Sequence, residues 1–260
     1  QGLRNWATRA VGELSHRRDE INALNVFPVP DSDTGSNMTH TMEAAVKELN
    51  NGGDVADALA LGAVRGARGN SGMVLSQVLR GVADSTVDSA IDGGVFARSL
   101  QQAVELVDRA ITEPVEGTVI NVLGAAAEAA ENAAARPSAT LHGIVSAAIT
   151  AARTALEQTP SQLPALREAG VVDAGGAGLV ILLESLLAEI EGTAGHTGLS
   201  EPETVAELEV IFFFEGDIEA LQASLTPLGD SLVIARATEH SANVHIHSQQ
   251  AGTVIEMAFW

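Results

Sequence analysis

The chain has 260 residues, 46% of them hydrophobic, which is enough for one large domain or for a medium domain and a small one. Its formal charge of -20 argues against a nucleic-acid partner and against an anionic membrane surface, because both attract basic proteins. With no cysteine and no apolar stretch long enough to span a bilayer, the sequence predicts a cytoplasmic protein without disulfides, thiolate metal sites or an integral membrane segment.

Helical patterning dominates the first 191 residues. Ala, Val and Leu supply most of the apolar residues and Tyr is missing, which favours closely packed helices. The periodicity predicts eight helices, near residues 4–23, 36–50, 54–65, 73–84, 94–112, 118–135, 139–158 and 178–191. Because the connections are short, the simplest arrangement is an up-and-down barrel or bundle.

The pattern changes after residue 192, where a stretch rich in Gly, Ser and Thr is typical of a linker. The remainder predicts strands at 208–214, 231–235 and 243–247 and helices at 217–225 and 251–259. We therefore expect a mainly α protein: an eight-helix barrel over residues 1–192, a linker over 193–203 and a small α+β domain over 204–260.

Four connections between the predicted helices are unusual in composition. They are Asn25–Gly35, Gly66–Gly72, Glu113–Thr118 and Gly170–Gly178, which are rich in Gly, Pro, Asp and Asn. In an up-and-down arrangement alternate connections share one end of the bundle. The sequence thus predicts that these four loops meet on one rim.

The first loop carries a candidate metal site. Asn25, Asp31 and Asp33 supply hard oxygen donors of the kind that Mg²⁺ prefers, and Mg²⁺ usually shares its shell with substrate phosphates. Pro28 and Pro30 stiffen the approach to the two carboxylates. The plainer interpretation is an Asp-rich turn that caps the next helix.

The start of the following helix is a candidate phosphate site. Gly35, Ser36 and Asn37 fall at or near its first turn, where unpaired backbone N–H groups favour an anion. An acidic chain that binds phosphates also needs a local cation, and a divalent metal ion in the adjacent loop would supply it.

The second loop precedes another helix and resembles a ligand-binding loop. Gly69 and Gly72 would let a ligand approach the backbone around Asn70 and Ser71, and Arg68 is one of only 14 basic residues. A plain Gly-rich turn between helices explains the same residues equally well.

The third and fourth loops offer weaker signals. Thr118 is expected to cap a helix, and it could also contact a nucleotide. Asp173, with Gly175 behind it, could hold a ribose or base edge or simply cap the last helix. The sequence contains no Walker A string, so phosphoryl transfer here would rest on metal and positioning.

The small domain contains a second candidate metal site. His245 and His247 share one face of a predicted strand, and Glu209 lies on another strand. Two His and a carboxylate can bind a metal ion, but a pair of half-exposed strand histidines is the commoner arrangement.

Taken together, four strings resemble a known family. In order they are NVFPVPDSDTGSNM, GARGNSGMVLSQVLRG, PVEGT and GVVDAGGAGL, and they are similar to the kinase domain of the bacterial fatty acid kinase catalytic subunit. That domain is related to the nucleotide-binding subunit of dihydroxyacetone kinase. The segment from Leu228 to Ser248 resembles the family's middle domain.

The resemblance implies a site for ATP or ADP with two Mg²⁺ ions on one rim. It implies Asn25, Asp31 and Asp33 as metal ligands, and for an enzyme we expect the two Asp to act with Arg68 as catalytic residues. It also implies nucleotide contacts from Gly69, Asn70, Ser71, Gly72, Thr118, Asp173 and Gly175, in addition to the phosphate site expected at Gly35, Ser36 and Asn37.

The implied activity is ATP-dependent phosphorylation of a fatty acid presented by a fatty-acid-binding carrier protein, giving an acyl phosphate for phospholipid synthesis. Two alternatives stay open: a dihydroxyacetone-type acceptor, and a nucleotide-binding scaffold without turnover. An exposed sheet edge in the small domain predicts a homodimer. The sequence departs from the family by lacking the middle-domain Cys, by ending before the family's C-terminal domain, and by placing Ser32 where Gly is usual.

Overall fold

The computed structural model describes residues 2–86, 91–111, 113–193, 208–236, 238–248 and 250–258, together with some of the side chains in the strands after residue 207. The chain forms two compact units, Gln1–Ser200 and Glu201–Trp260, each with its own core. The predicted linker falls, apart from Thr193, outside the described residues, and the predicted domain limits stay predictions.

All the regular elements among the described residues of the first unit are helices. Its helices are α1 (Gly2–His16), α2 (Arg18–Leu24), α3 (Thr34–Glu48), α4 (Val55–Gly66), α5 (Gly69–Ser85), α6 (Gly93–Ala110), α7 (Val119–Ala134), α8 (Leu141–Gln162), α9 (Pro164–Ala169) and α10 (Ala174–Glu191). Three details were wrong in the sequence prediction. The first predicted helix is divided at Arg17, and the short α9 was missed. The third error concerns helix ends: α5 and α10 begin at Gly69 and Ala174 rather than at residues 73 and 178, and α8 ends at Gln162 rather than at residue 158.

Eight of the described helices close into a ring. Each helix packs on the next in the order α1, α3, α4, α5, α6, α7, α8 and α10, and α10 packs on α1, which closes the ring. The short helices α2 and α9 pack on α3 and α8. The predicted eight-helix, up-and-down barrel class is therefore confirmed.

The interior of the ring is apolar. One buried cluster joins α5, α6, α7, α8 and α10, and a second joins α1, α3, α4, α5 and α10. An apolar cavity of about 370 Å³ lies between α1, α5, α6, α8 and α10, as expected for a barrel rather than a filled bundle. No helix in the described part combines the length and apolarity needed to cross a bilayer.

Glycines allow neighbouring helices to approach closely. A Cβ added at Gly81 of α5 would lie 2.7 Å from backbone atoms of both Ser99 and Ala103 in α6. A Cβ at Gly62 of α4 would lie 2.5 Å from the Ala44 carbonyl oxygen of α3. These contacts are with backbone, which cannot rotate away, so the small residue sets the distance between the helices.

The second unit is a three-stranded antiparallel sheet with two helices. Its elements are β1 (Leu208–Glu215), α11 (Ile218–Leu225), β2 (Asp230–Arg236), β3 (Ser241–Ser248) and α12 (Ala251–Ala258). The strand order is β1-β3-β2, so β1 and β2 are the edges. Val210, Leu225, Val244, Ile246 and Val254 lie in its core. The predicted α+β class is confirmed, with strand ends shifted by one or two residues.

We predict opposite stability effects for two Gly-to-Ala substitutions in the first unit. Gly81→Ala should lower the free energy of unfolding by about 1–3 kcal/mol, because α6 must move away from the new methyl group. Gly124→Ala in α7 should raise it by about 0.5–1 kcal/mol, because its added Cβ meets no atom within 4 Å and Ala favours the helix. Urea unfolding measures both, and a destabilised Gly124→Ala or an unaffected Gly81→Ala would contradict this packing.

Candidate functional site

The four unusual loops meet at one rim of the barrel, as predicted. The N-terminal parts of α3, α5, α7 and α10 line a single narrow crevice, to which they contribute Met38, Ser71, Val119 and Gly175. A Cβ added at Gly175 would lie 3.3 Å from the Val119 side chain. Four helices therefore begin at the same end of the barrel, and each N-terminus carries a partial positive charge.

The two carboxyl groups of the first loop lie side by side. The Asp31 and Asp33 side chains are close enough to hydrogen-bond, and Asn37 donates to Asp33. Desolvation, followed by repulsion from Asp31, raises the pKa of Asp33. Asp33 stands at the N-cap position of α3 but makes no capping hydrogen bond with its side chain. The alternative interpretation, that this Asp only caps a helix, is thus not what the structure shows.

Asn25 forms a hydrogen bond with one member of the carboxyl pair. Its side chain is buried, and its Nδ2 donates to Asp31 Oδ1 at 2.5 Å. A metal-ligand role for Asn25 would use the other amide atom, Oδ1. Ser32 connects the two Asp with φ of 56°, a left-handed conformation that glycine adopts at lower cost. The turn therefore places both carboxyl groups on the same side despite the Ser.

The backbone N–H groups of Ser36 and Asn37 in the first turn of α3 are not unpaired, contrary to the sequence prediction. The backbone N–H of Ser36 donates to Asn22 Oδ1 at 3.1 Å, and the N–H of Asn37 donates to the Asp33 carbonyl at 2.8 Å. These two donors are already engaged, so they do not form the open phosphate cradle expected from the sequence. Gly35 is buried against α2, where only a residue without a side chain fits. Sequence reasoning missed Asn22 because it lies 14 residues upstream.

The second loop packs directly on the first. Gly69 has φ of 58°, and a Cβ added there would lie 2.5 Å from Asn37 Nδ2. The positive φ favours glycine at this position, and the short distance shows that the Asn37 side chain packs against it. Asn70 is exposed beside it, so Asn37 lies between the carboxyl pair and an accessible stretch of backbone.

Thr41 of α3 holds the beginning of α5. Its hydroxyl accepts from the backbone N–H of Arg68 at 3.3 Å, and Gly72 packs against the same hydroxyl. The Arg68 residue is half-buried at the N-cap position of α5. Arg65, the other basic residue near this loop, forms an ion pair with Glu48 at 3.3 Å and is therefore engaged away from the loop.

The third loop is closed by its own side chains. Thr118 was expected to cap α7, but its hydroxyl donates to the Val115 carbonyl at 2.8 Å and makes no capping bond. Asn121 accepts from the Gly117 N–H at 2.7 Å instead. Gly117 has φ of 80° and packs on Leu163, which brings this loop against the end of α8.

Asp173 joins two of the helix starts. It is buried, and its carboxylate accepts from the backbone N–H groups of Gly176, at 2.6 Å, and Val119. Its own N–H donates to Thr159 Oγ1 at 3.0 Å. Burial raises its pKa to about 6, although both N–H bonds act in the opposite direction. The capping interpretation is therefore correct for Asp173, and it caps α7 as well as α10.

The candidate second metal site lies in the small unit. Pairing of β1 with β3 places Glu209 opposite His247 and Ile211 opposite His245. The side chains of Glu209 and both histidines lie outside the described part of the chain, so metal binding there stays a prediction.

The buried Asp173 predicts a specific dependence of stability on pH. Its pKa rises from an ordinary 3.8 to about 6 on folding, so the protonated form is favoured in the folded state. Its contribution to stability is complete below pH 3.8 and is lost as the pH rises through 6. Relative to Asp173→Asn, which has no such titration, the wild type should lose about 3 kcal/mol across this window.

Urea unfolding of both proteins at several pH values between about 4 and 7 measures this difference. Because other carboxyl groups titrate equally in the two proteins, only the difference between them is informative. A difference that does not change with pH would contradict the raised pKa of Asp173.

Two family models match the chain. The model described as DAK2 domain matches residues 28–188, and the model for the middle domain of FakA-like fatty acid kinase proteins matches residues 206–259. Among curated relatives, Protein YloV of Bacillus subtilis (strain 168) is 33% identical over 94% of this chain and 50% of its own length. An uncharacterized protein of Staphylococcus aureus (strain bovine RF122 / ET3-1) is 31% identical over 93% and 50%.

Solved structures give a more distant likeness. The dihydroxyacetone kinase from C. freundii in complex with AMP-PNP and Mg²⁺ has a TM-score of 0.47 and 20% identity, over 71% of this chain and 33% of that one. The native form of the C. freundii enzyme gives 0.46 and 19%, over 71% and 34%. This chain spans about half the length of the curated relatives it matches. The first family match alone covers more than half of the sequence, and the chain belongs to the DAK2 domain family.

Proposed function

We propose that the chain binds ATP with Mg²⁺ at the rim of the barrel and transfers the terminal phosphate to an acceptor. The observation that carries this proposal is the pair of adjacent carboxyl groups, Asp31 and Asp33, at the start of α3. Carboxylates attract a divalent cation, while the start of α5, where the N-cap side chain makes no capping bond, favours phosphate. Membership of the DAK2 domain family supports the same class of reaction.

The residues present fit Mg²⁺ better than a metal that needs a complete protein cage. No cluster of three or more His, Cys, Asp and Glu occurs in the part of the chain that the structure describes. Mg²⁺ is usually held by one or two carboxylates and completes its octahedron with waters and substrate phosphates. Asp31 and Asp33 would hold the ion or ions, with Asn25 positioning Asp31 or contributing its amide oxygen. We propose that two Mg²⁺ ions bind at this site.

Each part of the rim has a physical role in this proposal. Bound Mg²⁺ would neutralise negative charge on the terminal phosphates. The backbone around Gly69, Asn70 and Ser71 would approach the phosphates, and the positive end of α5 would favour them. Arg68 would stabilise charge that develops during transfer. Asp173 acts through α7 and α10, since it is buried and bonded to both helix starts.

The proposed acceptor is a fatty acid carboxylate presented by a fatty-acid-binding carrier protein, giving an acyl phosphate. The match of residues 206–259 to the FakA-like middle domain supports this choice. A dihydroxyacetone-type acceptor is the second candidate, because the DAK2 match concerns the helical unit common to both reactions. Both proposals place the protein in the cytoplasm, and we propose a homodimer that pairs through a sheet edge of the small unit.

Loss of the carboxyl pair should abolish metal-dependent nucleotide binding. We expect calorimetry to show that Mg²⁺ strengthens ADP and ATP binding to the wild type, and that Asp31→Ala/Asp33→Ala removes this gain. Asp217→Ala is the matched control, because it removes a helix-capping carboxylate from the small unit and should bind like the wild type. A folded wild type that binds neither nucleotide would contradict the proposed function.

Transfer of label from ATP carrying ³²P at the γ-phosphate distinguishes the two acceptors. We expect label in an acyl phosphate, trapped as the hydroxamate with hydroxylamine, when a bacterial carrier protein loaded with a long-chain fatty acid is present. Dihydroxyacetone should remain unlabelled under the same conditions. The full-length B. subtilis relative, run in parallel, tests whether the segments beyond this chain are needed. Label in dihydroxyacetone would favour the second acceptor, and nucleotide binding without transfer by either protein would favour a scaffold.

A further inference from the structure

The first turn of α3 is capped from a different helix. Asn22 of α2 accepts the Ser36 N–H with its Oδ1, and its Nδ2 donates to Ser36 Oγ, both at 3.1 Å. The contact is held in place by close packing, because a Cβ added at Gly35 would lie 2.9 Å from Asn22 Oδ1. Asn22 therefore makes two specific bonds to α3.

A helix start is usually capped by its own N-cap side chain. The N-cap residue is typically extended, and its oxygen accepts from the second or third N–H of the helix. Asp33 is the N-cap residue of α3, and Ser36 carries the third N–H. Asp33 instead has φ of -117° and ψ of -4°, and its side chain makes no capping bond. Asn22 has taken the hydrogen bond that Asp33 would normally make.

The other Asp residues at N-cap positions in the described chain show what Asp33 would do by default. All of them cap their own helices through the carboxylate: Asp54, Asp92, Asp173 and Asp217. Asp33 is the exception among these five. Its carboxyl group is directed to Asp31 and Asn37 instead.

We propose that Asn22 is a positioning residue for the carboxyl pair. By capping α3 from α2, it leaves the Asp33 carboxyl beside Asp31, where a divalent cation can bind both. Without Asn22, the Ser36 N–H needs a new acceptor, and Asp33 is the residue at the cap position. The carboxyl pair would then separate. The inference rests on the proposed metal–nucleotide site and adds a residue that does not itself touch the metal.

Calorimetry with ADP, in the presence of Mg²⁺ or of EDTA, tests the effect on metal binding. Asn22→Ala should weaken Mg²⁺-dependent binding by about 10- to 100-fold, the usual range for residues that orient metal ligands, with metal-free ADP binding unchanged. Asp19→Ala is the matched control, since it truncates an exposed side chain of the same helix whose ion-pair partner is Arg18, 3.7 Å away. It should retain most of the Mg²⁺ dependence.

The outcomes separate this inference from the proposed function. If the wild type gains affinity from Mg²⁺ and Asn22→Ala gains as much, Asn22 has only a structural role and the inference fails while the proposed function stands. If the wild type gains nothing from Mg²⁺, both fail.

A double-mutant cycle on stability provides a readout that needs no ligand. Asn22→Ala and Asp33→Ala should each have a small effect on urea unfolding, because the other residue can still accept the Ser36 N–H. The double variant should be destabilised by more than the sum of the two, since no side chain is left to cap α3. Additive effects would show that Asp33 does not replace Asn22 as the acceptor of the Ser36 N–H, and would overturn the inference.

Discussion

Closure of the helices into a ring is the constraint on which the site depends. An up-and-down ring of eight helices must place alternate connections on the same rim. In this chain those connections carry Asp31 and Asp33, Gly69, Thr118 and Asp173. No strand or P-loop is needed to bring them together. The ring also brings the beginnings of four helices to the same rim, where they line a common crevice.

The rim is stabilised by polar contacts between loops as well as by the apolar core. Asn37 lies between Asp33 and Gly69, and Thr41 holds the N–H of Arg68. On the other side, Asp173 bonds to the starts of both α7 and α10. These contacts fix the start of α5 against α3 and the start of α7 against α10. Preorganisation matters for phosphoryl transfer, in which positioning and electrostatics account for most of the catalysis.

Much of this architecture follows from the sequence. Apolar periodicity and the positions of Gly and Pro predicted the eight main helices, the change of class after residue 192 and the shared rim. The carboxyl pair was predictable because Asp31 and Asp33 are close in the chain and hard oxygen donors are distinctive. Residues such as Gly69, with its positive φ, were also marked by their type.

The rest could not be predicted because it depends on contacts distant in sequence. Asn22 caps a helix that begins at Thr34, and no local pattern marks that bond. Nothing in the sequence distinguishes Thr159 from other helix residues, yet its hydroxyl accepts the backbone N–H of Asp173. The start of α5 was placed four residues late because Gly69 and Gly72 disfavour helix, whereas packing on α3 compensates for that preference. Tertiary contacts therefore decided the details that matter most for the chemistry.

We propose that all four loops build one metal–nucleotide site, and paramagnetic broadening of backbone amide signals by Mn²⁺, added with ADP, tests this. Broadening should centre on the Asp31–Asp33 turn and extend to the starts of α3, α5, α7 and α10, and excess Mg²⁺ should reverse it. Broadening centred on β3 near His245 and His247, or spread over the acidic surface without a nucleotide effect, would contradict it.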